Sequence, residues 1–151
     1  MGFEPLHLII DTAWIADHDV GVAVIDAEHR QMFQMLDQMR AHYAGGDEAR
    51  CRERIKELAL AIPAHFAREE ALFAKLPYPD AARHGAQHVV LARRAASIAD
   101  AAGRMPMDRR TLADLIDGLA VVMMTDHFTL DLELGRYLAD DPAPAGCEHC
   151  S

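Results

Sequence analysis

Residues 65–88 read HFAREEALFAKLPYPDAARHGAQH. His65 and Glu69 lie four residues apart, and so do His84 and His88. On an α-helix that spacing stacks both side chains on one face. Between the pairs, Pro77 and Pro79 in LPYPD stop one helix and start another. The stretch therefore reads as a helical hairpin that presents four metal-type ligands across its own seam.

Working outward, the same periodicity recurs. His29, Met32, Leu36, Met39 and Tyr43 step by three and four, which predicts one buried face of a helix that Asp26 caps. Gly45-Gly46-Asp47 closes that helix and opens the next. The second stripe runs Ile55, Leu58, Ile62, His65, Glu69, Leu72, Leu76, with Pro63 inside it as a kink or a lost backbone bond. A third runs Ala81, His84, His88, Leu91, Ala95, Ile98, Ala102 and ends at Gly103 and Pro106. A fourth begins near Met107-Asp108 and runs Ile116, Ala120, Met123, His127, Asp131, Leu134, Leu138. It contains one irregular step, four followed by four, where His127 and Asp131 sit. Four amphipathic helices joined by short loops predict an all-α, antiparallel up-down-up-down four-helix bundle. Residues 1–25 read as an N-terminal arm, 26–140 as the bundle, and 141–151 as a flexible tail carrying a C-x-x-C at Cys147 and Cys150.

Composition narrows the function classes. Fifteen basic residues against 24 acidic ones leave a formal charge of −9, which argues against a nucleic-acid partner. No apolar run has the length of a membrane span. MGFEPLHLII has no basic leader, and Leu6 stands where a myristoylation motif needs Ser or Thr, so the expected location is the cytoplasm. Three cysteines, two of them in the tail, do not form a disulfide framework. Cys147 and Cys150, with His149 between them, could bind a metal or form a redox-active disulfide, and an idle or weakly metal-scavenging tail is the favoured reading. His7, His18 and His42 read as arm or surface residues, Glu70 as solvated, and Cys51 as incidental.

Seven ligand-type residues fall on predicted core stripes: His29, His65, Glu69, His84, His88, His127 and Asp131. Any one alone reads as a satisfied core residue. Together they leave buried imidazoles and carboxylates that need partners, and burying an unpaired carboxylate costs several kcal/mol. Seven donors without a thiolate exceed one tetrahedral zinc and suit two first-row ions, most naturally iron. With Glu69 and Asp131 bridging and one oxo or hydroxo bridge, one position of two octahedral ions stays open for a small ligand.

These motifs are similar to those of the bacterial hemerythrins. The resemblance covers residues 14–138 and rests on Trp14, on GVAVIDAEHRQMF around His29, on HFAREEALF, on YPDAARHGAQH and on DHFTLDLELGRYL. It implies a four-helix bundle with a non-haem di-iron centre (Fe2+/Fe3+) that binds O2 reversibly. By motif, His84, His88 and His127 would hold one iron, His29 and His65 the other, and Glu69 and Asp131 would bridge them. The expected function is O2 carriage, storage or sensing, with O2 as the partner and no protein partner specified. The alternatives are a di-iron oxidase, peroxidase or nitric-oxide-reducing enzyme, or an iron- or oxygen-sensing interaction module. The expected O2 pocket, Ile25, Phe66, Met123 and Met124, is apolar and donates no protons, which favours binding over catalysis. The chain departs from the family pattern twice. The last-helix aspartate, five residues after its histidine in the family, lies four after His127 here, with Asp126 as the second choice. Met123 stands where the family often has tryptophan.

Overall fold

The structure is a computed structural model that describes residues 18–104 and 106–140. Trp14, His7 and the tail Cys147-Glu148-His149-Cys150 lie outside the described residues. Helix α1 spans Ala23–Ala44, α2 Glu48–Phe73 and α3 Ala81–Ala102. The fourth rod has three consecutive parts: α4 (Arg109–Thr125), a π-helical turn (Asp126–Asp131) and α5 (Leu132–Asp140). Among the described residues there is no strand. α1 packs on α2, α2 on α3 and α3 on α4, and α4 returns to α1, which closes an all-α four-helix bundle.

The helix ends follow local chemistry. Gly46 takes φ 77°, the left-handed conformation that lets the chain reverse after α1. Asp47 caps α2 by accepting from the Arg50 amide at 3.2 Å, and Asp108 caps α4 by accepting from Thr111 at 2.7 Å. α2 runs unbroken through Pro63, which has no N–H to give the Ala59 carbonyl. α1 begins at Ala23, earlier than the cap expected at Asp26. Asp26 is instead buried inside the first turn, where its carboxylate accepts from the amides of Val20 (2.8 Å) and Gly21 (3.2 Å). That anchor seats Val20 against Gly135, where an added Cβ would come within 3.2 Å of the Val20 Cα.

Two apolar cores form. The larger packs Leu36, Met39, Ile55, Leu58, Ile98, Leu112, Ile116 and Leu119 at the end where α1 turns into α2, and takes in the buried, free Cys51. The smaller packs Phe73, Tyr78 and Leu134 at the opposite end. Phe73 and Tyr78 are buried there, whereas the expected Leu72 and Leu76 are half-buried. His29 lies near the start of α1, His65 and Glu69 near the end of α2, and His84 and His88 near the start of α3. The antiparallel order thus gathers the ligand-type residues into one layer between the two cores. Among the described residues no helix is long and apolar enough to cross a membrane.

Replacing Asp26 with Ala leaves the buried Val20 amide without an acceptor. The variant should lose about 1–3 kcal/mol of stability in urea unfolding; an unchanged midpoint would mean that the anchor contributes nothing.

Candidate metal centre

Among the described residues nine polar or charged ones are buried, and seven of them converge on one point: His29, His65, Glu69, His84, His88, Asp126 and Asp131. They form two overlapping sets whose ligand atoms lie within 4.8 Å of one another. One set is His29, His65, Glu69, Asp126 and Asp131; the other is Glu69, His84, His88, Asp126 and Asp131. Each set therefore owns one histidine pair, and the three carboxylates belong to both.

The imidazole Nε2 atoms point inward. His65 Nε2 lies 2.7 Å from Glu69 Oε1, and His29 Nε2 2.8 Å from Asp131 Oδ2. Across the layer, His84 Nε2 lies 3.2 Å from Asp131 Oδ1, and His88 Nε2 3.2 Å from Glu69 Oε2. His29 and His65 face each other at 2.9 Å through their Nε2 atoms. These contacts are short but poorly aligned, so both oxygens of Glu69, both of Asp131 and both nitrogens of His84 lack a hydrogen-bond partner. Such atoms are rare in a dry interior. A pair of cations between the carboxylates would satisfy them, and a donor set of imidazole and carboxylate without sulfur suits first-row ions.

Carboxylates outside the layer fix two of the rings. His65 Nδ1 donates to Glu28 Oε2 at 3.1 Å, and Glu28 is itself held by Arg68. His88 Nδ1 donates to Glu70 Oε1 at 3.0 Å. A proton on Nδ1 leaves the Nε2 lone pair free to bind a cation. Glu70 thus faces a buried ring at one end rather than standing wholly in water. Glu28 was not singled out by periodicity, because it lies one residue off the α1 stripe and acts only through the reach of its side chain.

Electrostatics holds the metal-free layer together. Burial works to lower the His29 imidazole, but contacts with Asp131 and Glu69 outweigh it and raise it to about 9. The same contest raises His84 to about 9, His88 to about 10 and His65 to about 11, with Asp126 and Glu69 the main partners of the last two. Burial works to raise Glu69, yet the four imidazoles hold it well below its ordinary value. Asp131, pushed up first by burial and then by the charge of Asp126, reaches about 7.

His127 is buried but belongs to neither donor set, whereas Asp126 belongs to both. Its ring stands edge-on to His29 (4.4 Å), Phe128 (4.7 Å) and Phe33 (5.6 Å), and both its nitrogens are unpartnered. His127 sits within the π-helical turn Asp126–Asp131. Of the expected pocket residues, Ile25, Phe66 and Met123 are buried and Met124 is half-buried. Phe66 stacks flat on His88 at 4.0 Å. His18 is half-buried with its ring edge-on to Phe128 at 5.5 Å, and His42 is half-buried in the last turn of α1.

The family profile described as the hemerythrin HHE cation binding domain matches residues 20–131, a span that holds every residue of the layer. The chain belongs to the hemerythrin family. Among curated hemerythrin relatives, the bacteriohemerythrin of Stenotrophomonas maltophilia (strain R551-3) is 34% identical over 83 residues, 55% of this chain and 54% of that protein. The bacteriohemerythrin of Pseudomonas aeruginosa (strain LESB58) is 31% identical over 81 residues, 54% of this chain and 53% of that protein. The chain spans about half the length of the curated relatives it matches. No solved structure matches.

Two outcomes follow from this hemerythrin site. The four imidazoles titrate above their ordinary value of 6.5, so their stabilisation of the metal-free fold is complete below that pH. It is lost as pH rises through about 9 to 11, while Asp131, at about 7, has already ionised. Thermal melts of metal-free protein should therefore fall steeply over that window and those of metal-loaded protein much less; equal slopes would refute the ion-paired layer. Separately, Glu28→Gln or Glu70→Gln should weaken metal affinity about 10–100-fold in chelator competition, with the metal-free fold unchanged.

Proposed function

We propose that this hemerythrin-family chain holds two iron ions and binds O2 reversibly, for oxygen carriage, storage or sensing. The observation that carries the reading is the pairing of donor sets: two histidines on either side of shared, unpartnered carboxylates in a dry layer. His29 with His65 and His84 with His88 would hold the two ions, and Glu69 and Asp131 would bridge them. When bound, two ferrous ions supply two electrons to dioxygen and recover them on its release.

The chain's own residues supply the rest. Glu28 and Glu70 hold the His65 and His88 rings in the tautomer that presents Nε2 inward. Phe66 walls the His88 ring, and Ile25, Met123 and Met124 would add apolar surface to the O2 pocket. None of the four can donate a proton, which favours binding over catalysis.

The optical spectrum of anaerobic, Fe(II)-loaded protein tests this. Colourless protein should gain charge-transfer bands in air and lose them when oxygen is removed. Bands that persist, with peroxide released, would favour a redox enzyme. No bands, with fewer than two irons bound per chain, would overturn the proposal.

A further inference from the structure

The π turn carries two adjacent ligand-type residues, and the geometry points to Asp126 as the metal ligand and to His127 as a buried imidazole left outside the coordination sphere. The centre then offers four imidazoles and three carboxylates. This rests on the iron-binding reading above.

Position argues first. Asp126 is a member of both donor sets. Its Oδ1 lies 3.0 Å from His88 Nε2 and 4.0 Å from His84 Nε2, and its Oδ2 lies 3.6 Å from His65 Nε2. It thus faces the histidines of α2 and α3, on the same side of the layer as Glu69. The His127 ring lies toward α1, enclosed by His29, Phe33 and Phe128.

Backbone geometry explains the choice. A π-helical turn closes i→i+5 hydrogen bonds, so residues five apart come to one face. Asp126 and Asp131 are the first and last residues of the turn and are five apart. Their carboxylates therefore share the inward face, and His127, one residue on, is rotated roughly a quarter turn away.

Donor chemistry gives the consequence. A third carboxylate in place of a neutral imidazole adds one negative charge and one hard oxygen donor. Hard, anionic donors stabilise trivalent over divalent iron and make Mn2+ a stronger competitor for the site. This centre should accordingly oxidise more readily than one with five imidazoles.

Ring-nitrogen NMR of the 15N-histidine-labelled full chain tests the assignment, with Zn2+ as diamagnetic probe. The Nε2 signals of His29, His65, His84 and His88 should shift on loading, and both His127 signals should stay within the range of an unliganded ring. A His127 nitrogen that moves to the metal-bound range overturns the inference. In parallel, His127→Gln should keep the iron content and ferric spectrum of the parent, whereas Asp126→Ala should lose about half the iron. The reverse pattern, in variants whose metal-free circular dichroism matches the parent, also overturns it. Should the parent chain itself take up fewer than two irons, the iron reading fails on its own, and the zinc shifts still decide between Asp126 and His127.

Discussion

Charge balance in a deeply buried layer is the constraint on which the rest of this structure depends. Glu69 and Asp131 are fully buried and Asp126 nearly so, each at a depth where an unpaired carboxylate costs several kcal/mol. Four imidazoles surround them, and in the metal-free protein the protons those rings retain are the counter-charge. Proton and metal are therefore alternative occupants of one electrostatic need. Cation binding must expel protons from Nε2, and the layer is held together by whichever positive charge is present.

The bundle is arranged to make that layer possible. The histidines and Glu69 of α1 to α3 lie toward the same end of the bundle, so the larger core at the other end packs without polar interruption. Phe73, Tyr78 and Leu134 close the near end as an apolar plug, and Tyr78 and Phe73 lie against the His84 ring at 6.2 and 5.0 Å. Rings pack against rings, mostly edge-on or tilted, which fixes imidazole orientation by packing where no carboxylate does so. His29 and His84, whose Nδ1 atoms have no partner, depend on this most.

Much of this was legible in the sequence wherever the helix is regular. His65 with Glu69, His84 with His88, and His29 at the head of its stripe are read from steps of three and four, and α1 to α3 keep that period. The fourth rod does not. Its π turn adds a residue to one turn at the irregular step seen at His127 and Asp131, and there His127, expected among the ligands, falls in neither donor set while Asp126 falls in both. Glu28 and Glu70 escaped for another reason: side-chain reach across a helix seam has no period. Asp26 resembled a helix cap because capping and anchoring use the same residue types.

The π turn leaves the last rod with two ligand vocabularies in one sequence. Were that turn to tighten by one residue into a regular helix, His127 would stack over Asp131 and Asp126 would swing toward the flank. The helix beyond it, including Leu134 in the small core, would have to screw round with it, so the contacts of α5 act as the clasp that sets the reading frame. Helical phase in the last rod is thus tied to the packing of Leu134 with Phe73 and Tyr78 and of Gly135 against Val20, one turn beyond the layer.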